Sequence, residues 1–239
     1  MSNTYFQFKQ FKIQQDQCAM KVGTDGVLLG AWTPIIHNQR VLDIGAGTGL
    51  VSLMLAQRGA GEVVGVELDL FASEQACINV ANSPFAQKVK IVNEDILCYH
   101  ASSPFDLIVS NPPYFNNALP CDNAKRNLAR HADSGLTLNR LIEKASQLII
   151  PNGSFVVILP SDLEKMFIDT CAVFHFTLAK KLTIFTRAGK RPKRCIFLMK
   201  YTTDAITPEY ENLILTNDTD NVRSDAYKQL TTDFYIDIS

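Results

Sequence analysis

The tetrapeptide Asn111-Pro112-Pro113-Tyr114 combines groups suited to holding a planar amine. The two prolines stiffen the chain and donate no backbone hydrogen bond, which leaves their carbonyl oxygens able to accept. Two acceptors, the Asn111 side-chain oxygen and the Pro112 carbonyl, suit the two hydrogens of an exocyclic amine, and Tyr114 offers a ring for stacking. Such acceptors stabilise the positive charge that develops when a poor nitrogen nucleophile is alkylated. Taken alone, Asn-Pro and Pro-Pro are also ordinary turn dipeptides.

A second candidate site is the glycine-rich segment 43–49, Asp-Ile-Gly-Ala-Gly-Thr-Gly, which follows an apolar run. Glycines allow a sharp turn and a close approach of a ligand to the backbone. Glu67 stands 22 residues after Gly45, at the end of the next apolar run, where a carboxylate can accept from ribose hydroxyls. The spacing G-x-G-x-G excludes the dehydrogenase fingerprint, and the absence of Gly-Lys-Ser/Thr excludes a P-loop. The pattern favours an adenosine-containing cofactor over a tight turn beside an exposed glutamate.

Basic residues are concentrated in one third of the chain. Residues 121–200 carry fourteen Lys and Arg against six Asp and Glu, although the net charge of the whole chain is −1. Because Lys and Arg neutralise phosphates, we predict that two groups of these cations contact RNA. The predicted RNA-binding residues are Lys125, Arg126, Arg130, Arg187, Lys190, Arg191, Lys193 and Arg194. A solvated helix face and a solvated hairpin are the plainer alternative.

Apolar runs alternate with helical periodicity between residues 40 and 201, which indicates βαβ units. We predict strands over 40–44, 61–68, 88–92, 105–110, 154–159, 177–186 and 194–201, and helices over 50–58, 70–81, 137–149 and 161–173. The connection between the last two strands is too short for a crossover helix, so these strands are expected to pair antiparallel. The predicted fold class is α/β, a doubly wound, mostly parallel seven-stranded sheet with an antiparallel strand near its edge.

The glycine segment and the later acidic residue resemble motif I of the class I S-adenosylmethionine-dependent methyltransferases, with a resemblance that spans about residues 40–201. NPPY resembles the [DN]-P-P-[FYW] motif of amino-methyltransferases, which act on adenine, guanine, cytosine or glutamine nitrogen. The resemblance implies S-adenosyl-L-methionine as cofactor. The cofactor-binding residues that it implies are Asp43, Gly45, Gly47 and Gly49 in the loop, Glu67 at the ribose, Asp95 at the adenine amino group, and Asn111. For Asp95, a role as helix cap or turn former is an equal alternative.

The two ends of the chain resemble one branch of that class. Residues 6–32, above all the run KVGTDGVLLG over 21–30, and residues 224–236 are similar to bacterial tRNA methyltransferases that act on adenosine N6 beside the anticodon of valine tRNA. In the wider family the N-terminal region lies over the methionine end of the cofactor, which implies contacts from Thr24 or Asp25. Capping of a short helix over 26–32 by either residue is at least as good an interpretation.

The resemblance implies methyl transfer to N6 of adenosine 37 in valine tRNA, with Asn111, Pro112, Pro113 and Tyr114 as catalytic residues. The implied partner is the anticodon stem-loop, whose unpaired bases turn outward at lower cost than those of a duplex. Two other enzymes stay open, a release-factor glutamine methyltransferase and an rRNA guanine-N2 or adenine-N6 methyltransferase. An RNA-binding protein that keeps the fold without turnover is a third alternative.

The expected organisation is one methyltransferase domain over 1–239. Residues 1–36 form an extension over the cofactor site, 40–201 form the catalytic core, and 202–239 form an acidic tail that packs on the core. The six cysteines show no C-x-x-C spacing, which argues against a zinc site and favours a reduced, cytoplasmic setting. No apolar run approaches the roughly 18 residues of a membrane span. We also expect a monomer that contains no metal.

Overall fold

The computed structural model describes residues 3–18, 20–112, 135–217 and 222–236, and its centre is an eight-stranded sheet. The chain forms its elements in the following order: β1 (Tyr5–Gln7), β2 (Lys12–Gln14), α1 (Thr24–Trp32), β3 (Arg40–Ile44), α2 (Leu50–Gln57), β4 (Glu62–Glu67), α3 (Leu70–Ala81), β5 (Val89–Asn93), β6 (Phe105–Ser110), α4 (Leu138–Leu148), β7 (Ile149–Pro160), a 3-10 turn (Ser161–Leu163), α5 (Glu164–Val173), β8 (Phe176–Phe185), β9 (Arg194–Tyr201), β10 (Glu209–Ile214) and α6 (Asp225–Thr231).

The strands of the large sheet lie in the order β10-β8-β9-β7-β6-β3-β4-β5. Strand β9 runs antiparallel to both of its neighbours, and the other pairs in the sheet are parallel. The predicted α/β class, with a mostly parallel sheet and an antiparallel strand near one edge, is therefore confirmed. Because β3 is followed by β4 on one side and later by β6 on the other, the topological switch point lies between β3 and β6.

The predicted number of seven strands is wrong, since β10 adds an eighth strand at the edge. It pairs in parallel with β8 over its whole length. Within β10 only Leu213 is buried, and the other five residues are exposed. A strand at the sheet edge with a single inward side chain lacks the alternation of apolar and polar residues by which strands are recognised.

Two apolar clusters cover the two faces of the sheet. Helices α1, α2, α3 and α6 contribute to the cluster on one face, and α4 and α5 contribute to the cluster on the other. Neighbouring residues of one strand enter opposite clusters, as Val41 and Leu42 do in β3. Strands buried on both faces read as continuous apolar runs, which is why the central strands were predictable from sequence.

The N-terminal hairpin β1–β2 packs against the C-terminal segment. Phe8 is fully buried, and its ring stacks on Tyr235 with 5.7 Å between the ring centroids. The backbone N–H of Lys9 donates to the Phe234 carbonyl at 2.8 Å. Each hairpin strand has only three residues, too few for a recognisable alternation, so this element was not predicted.

Asn79 on α3 joins this hairpin to the glycine-rich segment. Its side-chain Oδ1 accepts from the Gln14 N–H at 2.8 Å. Its Nδ2 donates to the carbonyls of Gln14, at 3.0 Å, and Thr48, at 2.9 Å. Only 1 % of Asn79 is exposed, so water does not replace these bonds. One amide thus fixes β2 and the loop between β3 and α2 in relation to α3.

Replacing Asn79 by Ala should lower the free energy of unfolding by about 2–4 kcal/mol, because it leaves buried backbone groups without partners. Urea denaturation of both proteins measures the difference. The matched control is Asn82→Ala at the exposed end of the same helix, where the amide donates to the Ile78 carbonyl. This control should cost less than about 1 kcal/mol. Equal losses for the two variants would contradict the role given to Asn79.

Candidate active site

A cavity of about 1080 Å³ lies at the carboxyl ends of β3, β4, β5 and β6. In doubly wound sheets, ligands bind at this edge and at the switch point of the strand order. The walls include the glycine-rich segment, the end of β4, residues 94–96 after β5, Asn111 after β6, most of residues 18–26, and Arg194. Since ligand pockets commonly measure about 300–1,000 Å³, this cavity has room for a nucleoside-sized cofactor.

The backbone of the glycine-rich segment requires glycine. Gly45, Gly47 and Gly49 have φ values of 74°, 54° and 80°, a region in which other residues are strained. A Cβ at Gly45 or Gly47 would meet nothing within 4 Å, so conformation rather than crowding excludes a side chain there. The N–H groups of Gly45 and Ala46 donate to the Val66 carbonyl at 2.9 and 3.2 Å, which holds the segment against the end of β4.

Glu67 connects the glycine-rich segment to the neighbouring wall. Its Oε2 accepts from the Gly47 N–H at 2.7 Å, and its Oε1 accepts from the Asp69 N–H at 2.9 Å. An ionised carboxylate has about four acceptor positions, so each oxygen keeps capacity for another donor such as a ribose hydroxyl. Glu67 therefore shapes the loop and lines the cavity at the same time.

Asp43 forms the floor of the cavity and is almost completely buried, with 1 % exposed. The Ser52 hydroxyl donates to its Oδ2 at 2.6 Å. Burial raises the pKa of Asp43 to about 6, although the hydrogen bonds from Ser52 act in the opposite direction and the nearby charge of Glu67 adds to the rise. The sequence did not identify Ser52, which lies on α2 and reaches the carboxylate only after the loop has turned.

Asp95 lines the same cavity and also stabilises its own turn. Its Oδ1 accepts from the Leu97 N–H at 2.9 Å, while its backbone carbonyl accepts from the N–H groups of Cys98 and Tyr99. Asp95 therefore does form a turn. It also lines the cavity, where its carboxylate can accept a hydrogen bond from an amino group.

Asn111 follows β6 and lines the cavity, with Pro112 buried directly behind it. A Cβ placed on Gly26 of α1 would lie 3.9 Å from Asn111 Nδ2, so the first turn of α1 borders this amide. The preceding Ser110 donates from Oγ to the Ile44 carbonyl at 2.9 Å. This bond ties the end of β6 to the residue before Gly45, and Ser110 is a second positioning residue that the sequence did not identify.

Thr24 and Asp25 lie in the cavity wall, but neither caps α1. The helix begins at Thr24, and the capping position belongs to Gly23, which has no side chain to bond. The interpretation of Thr24 or Asp25 as a cap is therefore wrong. The reason is that the helix begins at Thr24, two residues before the predicted start at residue 26, so both residues belong to its first turn.

The predicted RNA-binding residues fall into three groups. Arg187, Lys190, Arg191 and Lys193 lie in the connection between β8 and β9, which leaves the sheet at the same edge as the cavity because β8 is parallel to β7. Arg194 lines the cavity itself. The remaining predicted residues, Pro113 and Tyr114 of the tetrapeptide and Lys125, Arg126 and Arg130, lie outside the described residues.

Within the described ranges, no helix is both long and apolar enough to cross a membrane. The same residues contain no group of three or more His, Cys, Asp or Glu side chains arranged to hold a metal ion.

The sheet order and the cavity at its switch point define a class I methyltransferase fold. A similar solved structure is that of a predicted O-methyltransferase from Agrobacterium tumefaciens, with a TM-score of 0.70, 19 % identity, and coverage of 88 % of this chain and 96 % of that one. A putative RNA methyltransferase from Pyrococcus horikoshii has a TM-score of 0.54 and 20 % identity, with 75 % and 81 % covered. At these identities the likeness shows the fold alone.

Residues 22–180 match the family model described as the methyltransferase small domain. A relative from Bacteroides fragilis, called tRNA1(Val) (adenine(37)-N6)-methyltransferase, is 42 % identical over 99 % of this chain and 99 % of its own length. A relative of the same name from Serratia proteamaculans is 42 % identical over 97 % of this chain and 89 % of its own length. The chain therefore belongs to the tRNA1(Val) (adenine(37)-N6)-methyltransferase family of methyltransferases with the small domain, as the sequence resemblance implied.

The buried carboxyl of Asp43 predicts a specific pH dependence of stability. Its pKa of about 6 in the folded state exceeds the ordinary value of 3.8, so the folded state binds this proton more tightly than the unfolded state. As the pH rises from about 4 to about 7, the contribution of Asp43 to the free energy of unfolding should fall by about 2 kcal/mol, because both ends of this range lie close to the two pKa values. Urea denaturation of wild type and Asp43→Asn between pH 4 and 7 isolates this contribution as the difference between the two curves.

Ser52→Ala provides a second variant for that experiment. It removes a donor to the ionised carboxylate, so the pH window of the wild-type effect should move upward. A difference between wild type and Asp43→Asn that stays constant from pH 4 to 7 would contradict the raised pKa.

Proposed function

We propose that this enzyme transfers the methyl group of S-adenosyl-L-methionine to N6 of adenosine 37 in valine tRNA. The observation that carries the proposal is the position of Asn111, which lines the same cavity as the glycine-rich segment, Glu67 and Asp95. The residue proposed to hold the target amine and the residues proposed to bind the cofactor nucleoside therefore line one cavity. Family membership supports the choice of RNA and nucleotide, because relatives with 42 % identity over nearly their full length carry that name.

The described residues suit the cofactor by their donors and acceptors. The bare backbone at Gly45 and Gly47 allows close approach, Glu67 accepts from the ribose hydroxyls, and Asp95 accepts from the adenine amino group. When bound, S-adenosyl-L-methionine supplies a methyl group on positively charged sulfur, which is already reactive towards nitrogen. The protein therefore contributes mainly the positions of the reacting groups.

Asn111 and Pro112 orient the target amine in the proposed reaction. The side-chain oxygen of Asn111 and the Pro112 carbonyl accept the two N–H groups, which favours a tetrahedral nitrogen with an available lone pair. Once the methyl carbon exchanged its bond to sulfur for one to nitrogen, the nitrogen would be positively charged, and these acceptors would stabilise that charge until one proton is lost to solvent. From the sequence alone, this proposal also gives Tyr114 the role of stacking on the adenine, a contact worth about 1–3 kcal/mol for a base, and Pro113 that of a residue without a backbone donor.

The proposed RNA contacts begin at the connection between β8 and β9. Lys190, Arg191 and Lys193 are exposed there, at the edge of the sheet where the cavity opens. We assign them, together with Arg187, to phosphates of the anticodon stem, since phosphate contacts fix the position of an RNA. Lys125, Arg126 and Arg130 are proposed as further phosphate contacts from their charge and their place in the sequence alone.

We further propose that one chain acts as a monomer and as one domain in the cytoplasm, where its tRNA substrate is found. Residues from the N-terminal and C-terminal segments, such as Phe8 and Phe234, belong to the same apolar cluster as the core helices.

Asn111→Ala should lower turnover at least about 100-fold, because it removes an acceptor that acts on the reacting nitrogen. The affinity for S-adenosylhomocysteine should change by less than about threefold, since the glycine-rich segment and Glu67 remain. The assay incubates purified protein with S-adenosyl-L-methionine and total tRNA from cells lacking the gene, followed by nucleoside mass spectrometry and fragment mapping. Asn212→Ala on the exposed face of β10 is the control and should retain full activity.

A wild-type protein that binds tRNA without forming N6-methyladenosine would contradict the proposal and indicate a binding protein. A product found only in release factors or in rRNA would replace the substrate with one of the alternatives derived from the sequence.

The double substitution Lys190→Gln with Arg191→Gln should weaken tRNA binding and make it less sensitive to salt. Each lost phosphate contact lowers the slope of log K against log salt by about 0.7–0.9, so the slope should fall by about 1.5. Filter binding between 50 and 200 mM salt, about the range over which such contacts are resolved, gives this slope. Lys88→Gln with Lys90→Gln, at the amino end of β5 and thus towards the opposite edge, is the charge-matched control. The same change in slope for both double variants would show that the loop has no special role.

A further inference from the structure

Arg194 differs from the other cations of the β8–β9 connection. It is the first residue of β9, and only 26 % of its side chain is exposed. It lines the cavity, whereas the exposed Lys190, Arg191 and Lys193 do not. Its environment therefore belongs to the cofactor site rather than to the outer surface of the loop.

The guanidinium of Arg194 bridges two parts of the structure. Its Nε donates to Asp25 Oδ2 at 2.9 Å, and its Nη1 donates to the Lys193 carbonyl at 2.9 Å. The end of the loop is fixed by two further bonds, from the Lys193 N–H to the Ile184 carbonyl at 3.2 Å and from the Ser161 hydroxyl to the Pro192 carbonyl at 2.7 Å. Arg194 thus connects a fixed loop base to the wall that contains Asp25.

Asp25 lies in the part of the wall that borders both Asn111 and the glycine-rich segment. It belongs to the first turn of α1, next to Gly26, whose missing Cβ would stand 3.9 Å from Asn111 Nδ2. The same turn borders the cavity beside the glycine-rich segment. Because Gly23 offers no capping side chain, the ion pair to Arg194 replaces a cap as the side-chain restraint on this turn.

An arginine paired in this way is poorly suited to bind phosphate. The Asp25 carboxylate neutralises the guanidinium at close range, so little net field remains to attract an RNA backbone. The contact would have to break before the Nε could turn to a phosphate oxygen.

We propose that Arg194 is a positioning residue of the cofactor cavity. Through Asp25 it holds the first turn of α1 against the base of the RNA-facing loop, so that the cofactor wall and this loop form one unit. The inference rests on the proposed function only in that the ligand of the cavity is the cofactor.

The test measures binding of S-adenosylhomocysteine to the full chain by calorimetry, without RNA. Arg194→Gln and Asp25→Asn should each raise the Kd about three- to fivefold, the range expected for a partly exposed ion pair. The double variant should be no weaker than either single variant, because the same interaction is lost in all three. Arg194→Lys keeps a cation opposite Asp25 and should restore the Kd to within about twofold of wild type.

Two controls separate positioning from loss of stability or charge. Lys165→Gln breaks the exposed ion pair to Asp169 on α5 and should leave the Kd unchanged. Lys190→Gln removes one positive charge from the loop and should also leave it unchanged. The melting temperature of Arg194→Gln should stay within about 2 °C of wild type, which excludes general destabilisation as the cause.

Several outcomes would overturn the inference. One is an unchanged Kd in Arg194→Gln together with weaker tRNA binding and a lower salt slope, which would make Arg194 a phosphate contact. Another is a Kd that rises only in proportion to a lower melting temperature, or additive effects in the double variant. If wild type itself fails to bind S-adenosylhomocysteine, the proposed function fails, whereas in the outcomes above wild type binds it and only the inference fails, so the two failures are distinguishable.

Discussion

The hydrogen bond from the Gly47 N–H to Glu67 Oε2 is the interaction on which the rest of the site depends. A loop with three left-handed glycines has many alternative conformations, and fixing one of them carries an entropic cost. The Glu67 carboxylate and the Val66 carbonyl at the end of β4, together with the Asn79 amide on α3, restrain this loop by hydrogen bonds. Glycine permits many backbone conformations, and these hydrogen bonds select one of them. The bare backbone can therefore serve as a binding surface.

The residues that create the site are also the residues that hold the strands together at one edge. Ser110 fixes the end of β6 to the end of β3, and Asn111 follows directly. The pairing of β6 with β3 and this hydroxyl together set Asn111 relative to the glycine-rich segment. Parallel strands have their carboxyl ends at the same edge of the sheet, so the topology alone brings these residues close together. Two or three buried hydrogen bonds then fix their relative positions.

The sequence revealed the parts of this site whose chemistry is local. The glycine spacing, Glu67 and the tetrapeptide at Asn111 were recognisable because each motif carries its own composition. Ser52, Ser110 and Asn79 were not recognisable, because their partners lie 9, 66 and 31 residues away and a lone serine or asparagine has no distinctive pattern. The family resemblance supplied the substrate, which no described contact defines.

Three strands that escaped prediction are stabilised mainly by tertiary contacts. The three-residue strands β1 and β2 are too short to be recognised, and their hairpin is held by aromatic rings from the far end of the chain. Strand β10 exists because β8 offers a free edge, not because its own residues alternate. In the sequence, Arg194 is one more member of a basic cluster. It differs from the other members by its ion pair with Asp25, which depends on the packing of α1.

The reversed direction of β9 has a consequence for how this enzyme can change over time. In a parallel sheet, each connection at the catalytic edge must lead into a helix that packs on the sheet, so its length is constrained. The β8–β9 connection is instead a hairpin that returns at once to the sheet, and it can accept insertions, deletions or new side chains while every helix keeps its place. Substitutions in this connection, where the RNA contacts are proposed, can therefore change its surface almost independently of the helices and loops that line the cavity, up to Arg194 at the start of β9.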